Sequence, residues 1–231
     1  MTRIALVHGL GGSASTMSRL ASALNSAGHD AVAITLPGHA TQPNDLVKVT
    51  WRDWLDAIPV AEVLVGQSMG ASLVLAAAAE RPSVAGVVCI NPLAPDVDSI
   101  EGLDWRLSRG HDWVEALAAA EGEQAYDRLP LPALLQMAIG VAAIDYATIH
   151  QPVLLITSAD DDMVDPASSD LVASMITGPV TRLTLGAGGH TASLGPEVDT
   201  IVAAIVAHLA APGGRENSTS ARNPRPLAGY S

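Results

Sequence analysis

Short apolar runs recur along the chain, and most are followed by stretches with helical character. The runs are rich in Val, Ile and Leu, which is typical of strands buried on both faces of a sheet, and they lie at residues 4–7, 31–35, 62–66, 84–90, 153–157 and 182–185. Amphipathic or alanine-rich stretches predict helices at residues 14–27, 51–58, 71–79 and 197–211. This alternation predicts an α/β fold with a mostly parallel, twisted sheet flanked by helices.

The alternation stops between residues 91 and 150. This region carries prolines at positions 92, 95, 130 and 132, has helix-like stretches at 112–121 and 131–143, and shows no strand pattern. We interpret residues of about 92–150 as an insertion that forms a small helical cap over the strand ends. Five apolar side chains either line an acyl pocket beneath this cap or pack the cap against the body of the domain: Trp105, Leu131, Leu134, Leu135 and Met137.

The last predicted helix marks the end of a single domain, residues 1–211. Residues 212–231 are polar and rich in Pro, Gly, Ser and Arg. Such a composition offers little apolar surface to bury, so we predict a disordered C-terminal tail.

Charge and composition narrow the possible partners. The 231 residues carry a formal net charge of −12, which argues against nucleic acid and against an anionic membrane surface as partners. Cys89 is the single cysteine and lies in an apolar run, so a buried core position is expected and no intramolecular disulfide can form. No apolar run is long enough to insert stably in a membrane. Strand character starts at Ile4, which leaves no room for a signal peptide. A cytoplasmic location is therefore expected.

One pentapeptide, Gly66-Gln67-Ser68-Met69-Gly70, lies between a predicted strand and a predicted helix. The G-x-S-x-G spacing in this context is typical of a nucleophile elbow, a sharp turn that projects the serine hydroxyl from the top of a sheet. The glycines on either side allow neighbouring backbone to pass without a Cβ clash. The alternative interpretation is a turn with an incidental serine.

Acidic residues and a histidine follow the last two predicted strands. Asp160, Asp161 and Asp162 come directly after the strand at 153–157, and His190 ends a glycine-rich loop after the strand at 182–185. A serine, an aspartate and a histidine side chain together suit nucleophilic catalysis, with the histidine as base. A metal site at the three aspartates is a weaker alternative, because consecutive side chains point in different directions and no calcium-loop spacing is present.

Taken together, these motifs resemble those of the α/β-hydrolases, from Ile4 to about Ala211. The segment His8-Gly9-Leu10-Gly11-Gly12 resembles the loop that supplies an oxyanion-hole N–H in that family. His8, and His39 in a Pro-Gly-His turn, are interpreted as structural. The family pattern D-x-x-V-x-P favours Asp161 over its neighbour Asp160, since Val164 and Pro166 are then in register.

Within that superfamily the chain is most similar to small bacterial carboxylesterases and monoacylglycerol lipases. The resemblance implies Ser68 as nucleophile, His190 as base, Asp161 as the acid that orients it, and the backbone N–H groups of Leu10 and Met69 as oxyanion donors. It also implies an ester of short to medium acyl chain as small-molecule substrate, and neither a cofactor nor a metal.

Other reactions use the same motifs. Thioesterases, lactonases, C–C hydrolases, haloperoxidases without cofactor and lyases share the elbow and the triad, so the motifs favour the superfamily more strongly than the substrate. A ligand-binding protein without catalysis on this fold is the alternative from another functional class.

Overall fold

All six predicted apolar runs form strands of one parallel sheet in the computed structural model, which describes residues 1–116 and 119–210. The spatial order of its strands is β2-β1-β3-β4-β7-β8. Their bounds are β1 Arg3–Val7, β2 Asp30–Ile34, β3 Val63–Gln67, β4 Gly86–Ile90, β7 Val153–Ser158 and β8 Val180–Leu185. All pairs in this sheet are parallel, so the carboxyl ends of the strands lie along one edge.

Helices cover both faces of the sheet. Their bounds are α1 Ala14–Ser26, α2 Trp51–Asp56, α3 Met69–Glu80, α4 Val97–Ser108, α5 Leu131–Ala142, α6 Ala167–Met175 and α7 Val198–Ala210. Side chains alternate between the two faces along a strand, so β1 contributes to two cores. Ile4 and Leu6 pack in the core that contains residues of α1 and α7. Ala5 and Val7 pack in the core that contains residues of α2, α3 and α6. The predicted α/β architecture is confirmed.

The central strands and α3 are buried on all sides. Every residue of β3 and β4 is buried, as is Cys89 with 0% exposure. Helix α3 is buried from Met69 to Ala78, because its alanines and leucines present apolar surface all round, and a helix of that kind belongs in a core. The elbow therefore lies between a fully buried strand and a buried helix.

The segment between β4 and β7 differs from its sequence prediction. The predicted helix at 131–143 is confirmed as α5, but the helix predicted at 112–121 is wrong. Strand β5 (Trp113–Glu115) instead pairs antiparallel with β6 (Arg128–Pro130), and the Arg128 guanidinium lies 4.6 Å from the Trp113 ring. The two strands pair residues that are thirteen to seventeen positions apart in the chain. A hydrophobic pattern within residues 112–121 therefore could not show that this segment forms a strand.

Helix α4 was not predicted, although Ile100, Leu103 and Leu107 repeat at helical spacing along it. These side chains are only half-buried, and no residue of α4 is fully buried. Its start is marked by Asp96, whose side chain accepts hydrogen bonds from Ser99 N and Ser99 Oγ. Within residues 1–116 and 119–210, no helix has both the length and the apolar content required to cross a bilayer. The tail predicted at 212–231 lies outside the described residues.

Candidate active site

Ser68 lies at the turn between β3 and α3, at the carboxyl edge of the sheet. Its backbone has φ 56° and ψ −125°, a left-handed conformation that is strained for a residue with a side chain. The turn is held by a hydrogen bond from Ser68 N to Ile90 O of 2.9 Å. A sharp turn of this kind projects the hydroxyl out of the sheet and away from the strand axis.

The two flanking glycines permit this turn by close backbone packing. A Cβ atom on Gly66 would lie 2.1 Å from Gly70 O, and one on Gly70 would lie 2.2 Å from Val7 O. Neither contact can be relieved by a side-chain rotation, because both involve backbone atoms.

We expect Gly70→Ala to lower the free energy of unfolding by at least about 3 kcal/mol, the upper range for overpacking a core. Gly102 in the exposed part of α4 is the matched control, since a Cβ there meets no atom within 4 Å. Gly102→Ala should stabilise the protein by roughly 0.5–1 kcal/mol through helix propensity. Urea unfolding of both variants measures the difference; equal effects would show that the close packing at the elbow is wrong.

The His190 imidazole lies between the Ser68 hydroxyl and the Asp161 carboxylate. Its Nε2 is 3.0 Å from Ser68 Oγ, and its Nδ1 is 3.0 Å from both Asp161 oxygens. The side chains of His190 and Asp161 are 13% and 1% exposed. An ionised carboxylate can only accept hydrogen bonds, so Nδ1 carries the proton and Nε2 is free to accept one from the hydroxyl.

The three consecutive aspartates have three different surroundings. Asp161 Oδ1 also accepts hydrogen bonds from Met163 N and Val164 N at 2.9 and 3.0 Å. Burial alone would raise the pKa of Asp161, but the hydrogen bonds from His190 and these two amides outweigh burial, and its pKa is lowered. Asp160 instead accepts a hydrogen bond from Gly189 N at 2.8 Å. Asp162 lines a cavity that opens above Ser68 and His190.

The glycine-rich loop after β1 passes directly over Ser68. A Cβ on Gly9 would lie 3.1 Å from Ser68 Cβ, which places the following Leu10 at the edge of the same cavity. Among the residues that the structure describes, neither Leu10 N nor Met69 N donates a hydrogen bond. Two N–H groups without an internal partner beside a serine hydroxyl are suited to bind a developing oxyanion.

A cavity of about 640 Å³ opens above Ser68 and His190. Of the five apolar residues singled out from the sequence, Leu134 and Met137 line it. Leu131 is fully buried in the core, and Trp105 is 58% exposed on α4. Leu135 is half-buried and is not among the cavity's lining residues.

One side of this cavity is polar. Glu123 Oε2 accepts hydrogen bonds from Thr191 Oγ1 at 3.2 Å and from Ala120 N at 3.1 Å. Glu123 and Thr191 both line the cavity next to His190. The cavity thus combines apolar walls with three carboxylate residues, Glu115, Glu123 and Asp162, of which Glu123 is hydrogen-bonded to the residue that follows His190.

Comparison with known proteins identifies the family. The sequence profile of the alpha/beta hydrolase family matches residues 4–204. The chain belongs to this family. The resemblance inferred from the motifs is thereby confirmed.

Individual relatives of this alpha/beta hydrolase include lipolytic enzymes. A thermostable monoacylglycerol lipase of Bacillus sp. (strain H-257) is 28% identical over 189 residues, covering 73% of this chain and 74% of that protein. A structure from the metagenome-derived lipolytic enzymes LipS and LipT matches with a TM-score of 0.79 and 26% identity, over 89% of this chain and 91% of that one. The monoacylglycerol lipase of Paleococcus ferrophilus shares the fold at 20% identity, with a TM-score of 0.67 over 89% of this chain and 94% of that one.

The two other histidines near the hydrolase elbow have structural contacts. His8 Nε2 accepts a hydrogen bond from Leu36 N at 3.1 Å, and its Nδ1 donates to Gly9 O at 2.7 Å. His39 Nδ1 donates to Pro37 O at 3.0 Å. Burial lowers the pKa of His8 to about 3 and that of His39 to about 4. Both rings are therefore neutral at neutral pH and serve to shape the loops around Ser68.

Sequence reasoning missed Asn91, which ties the His190 loop to the rest of the hydrolase sheet. Asn91 follows β4, is 2% exposed and has φ 48°. Its Nδ2 donates to Gly189 O and His190 O, both at 3.0 Å, while its Oδ1 accepts from Ser158 N at 2.8 Å. An asparagine directly after a strand was the available signal, because Asn tolerates a left-handed backbone better than most residues. Its partners, however, lie 67 to 99 positions away.

Proposed function

We propose that this chain is a serine hydrolase that cleaves carboxylic esters of short to medium acyl chain through an acyl-enzyme. The observation that carries the proposal is the His190 imidazole, held at 3.0 Å from both the Ser68 hydroxyl and the buried Asp161 carboxylate. This hydrogen-bonded chain lies at the mouth of a largely apolar cavity. The lipolytic relatives from Bacillus and from the metagenome support ester hydrolysis as the reaction class.

In the first half of the reaction, Ser68 Oγ attacks the ester carbonyl carbon while His190 Nε2 takes the hydroxyl proton. The ionised Asp161 keeps the proton on Nδ1 and stabilises the imidazolium. The carbonyl oxygen gains negative charge and accepts hydrogen bonds from Leu10 N and Met69 N. Each such donor is worth about 3–4 kcal/mol in the transition state of well-studied hydrolases.

The second half returns the enzyme to its starting state. His190 gives its proton to the departing alcohol, which leaves Ser68 acylated. Water then enters, loses a proton to His190 Nε2 and attacks the acyl carbonyl, and the proton finally returns to Ser68 Oγ as the acid departs. No step requires a cofactor or a metal.

The polar side of the cavity favours a hydroxylated alcohol. Because His190 protonates the leaving group, the alcohol lies beside His190 and its neighbours Thr191 and Glu123. The Glu123 carboxylate can accept hydrogen bonds from free hydroxyl groups of the alcohol. A monoester of glycerol has two such hydroxyls, and the Bacillus relative is a monoacylglycerol lipase.

Hydrolysis of p-nitrophenyl esters from acetate to palmitate tests the proposal directly. We expect turnover of short and medium chains, and faster hydrolysis of a glycerol monoester than of the ethyl ester of the same acid. If no ester is hydrolysed at all, the proposed function is wrong. If esters are hydrolysed but the glycerol and ethyl esters are equivalent, only the assignment of the alcohol side is wrong.

A further inference from the structure

A second cavity, of about 650 Å³, lies directly behind the wall of the active-site cavity. It is bounded by α4, α5 and the start of α6. The two cavities share five lining residues: Leu93, Leu134, Met137, Met163 and Val164. A residue that lines both cavities lies between them, so the partition is about one side chain thick.

The partition has no polar contact to break. All five of its side chains are apolar, and two of them are methionines, whose three rotatable bonds let them adapt to irregular spaces. Met137 and Leu134 lie one turn apart on the same face of α5. Met163 is 52% exposed, so it lies at the solvent-facing end of this partition. A rotation of the methionine side chains therefore joins the cavities without loss of a hydrogen bond.

The second cavity suits a neutral alkyl chain. Its apolar lining includes Leu103, Ala138 and Val141, together with Leu171, which is 48% exposed. The polar residues at its edge include two carboxylates, Asp96 and Asp165, while no Lys, Arg or His is among its described lining residues. These carboxylates are already hydrogen-bonded locally, to Ser99 and to Ala167 N. Their charge disfavours an anionic ligand.

We propose that the second cavity is a subsite for the distal part of long acyl chains, and that Met137 with Met163 determines how far a chain reaches from Ser68. This inference rests on the proposed ester hydrolysis. Short and medium chains occupy the first cavity alone. Longer chains must displace the methionines before their distal methylenes are buried. Each additional buried methylene then raises kcat/KM by about fourfold.

The test is the ratio of kcat/KM for p-nitrophenyl palmitate to that for p-nitrophenyl butyrate. We expect Met137→Ala to raise this ratio by at least about tenfold over the wild type. The variant lets about two more methylenes of the palmitoyl chain become buried, and each of them raises kcat/KM by about fourfold. Met163→Ala should shift it in the same direction. Met175→Ala is the matched control, since Met175 is half-buried but lines neither cavity; its ratio should equal that of the wild type.

Filling the second cavity provides the decisive comparison. Ala138 lines only that cavity, so Ala138→Phe added to Met137→Ala should abolish the gain for palmitate. The subsite proposal is overturned if neither methionine variant changes the ratio, or if the gain persists after Ala138→Phe, while the wild type hydrolyses butyrate. A wild type that hydrolyses no ester would overturn the proposed function and this inference with it.

Discussion

Replacing Ser68 with alanine should lower kcat/KM for p-nitrophenyl butyrate by at least about 10⁴-fold, the loss seen when the nucleophile of a hydrolase triad is removed. Without Oγ there is no acceptor for the acyl group, and His190 loses its 3.0 Å partner. The fold should be unchanged, because the Ser68 side chain makes no capping bond to α3. Initial rates and urea unfolding of the same preparation check both statements.

Ser72→Ala is the matched control for this substitution. Ser72 lies four residues further along α3, is fully buried, and donates a long hydrogen bond to Leu93 O at 3.4 Å. Its replacement should leave turnover within a few fold of the wild type. Equal activity of Ser68→Ala and wild type would exclude Ser68 as nucleophile. Covalent labelling by a fluorophosphonate probe, present in the wild type and absent in Ser68→Ala, distinguishes an activated serine from an inert one.

The neighbouring aspartates provide a second comparison on the same site. Asp161→Asn should lower kcat by about 10⁴-fold, since an amide no longer stabilises the imidazolium or the correct tautomer. Asp160→Asn keeps an amide oxygen that can still accept the hydrogen bond from Gly189 N and removes only the charge, so its effect should be much smaller. A larger loss for Asp160→Asn would assign the acid to Asp160.

Lowering the pH from 7.5 to 5 should reduce the free energy of unfolding by about 4 kcal/mol through two buried histidines. The pKa of His8 is about 3 and that of His39 about 4 in the folded protein, against 6.5 in the unfolded chain. The unfolded state therefore binds more protons in this window, and stability falls as the pH falls through it. Each histidine contributes about 2 kcal/mol at pH 5, since one pKa unit corresponds to about 1.4 kcal/mol.

Urea unfolding at both pH values, compared between variants, isolates this effect. His39→Asn can still donate to Pro37 O, and it should reduce the pH dependence by about 2 kcal/mol. His150→Asn is the control, because His150 is exposed and should leave the dependence unchanged. If His39→Asn shows the full dependence of the wild type, His39 is not a source of the acid sensitivity.

The local sequence determined most of the secondary structure of this hydrolase. Apolar runs of strand length and alanine-rich stretches depend only on near neighbours in the chain, and they located the six strands of the main sheet and the helices α1, α2, α3 and α7 on its faces. Helix α6 was not predicted. The G-x-S-x-G spacing identified the elbow, because close backbone packing admits only glycine at Gly66 and Gly70. The order of Ser68, the aspartate cluster and His190 followed from family motifs that are short and local.

Tertiary structure decided what depends on contacts between distant residues. The pairing of β5 with β6 overrode a helical pattern. Helix α4 was not predicted, and its apolar residues Ile100, Leu103 and Leu107 are only half-buried in the folded chain. Asn91 holds the His190 loop through partners that only the folded sheet brings near. The partition formed by Leu93, α5 and the turn after Asp161 likewise exists only after these segments meet, since cavities are bounded by surfaces from separate parts of the chain.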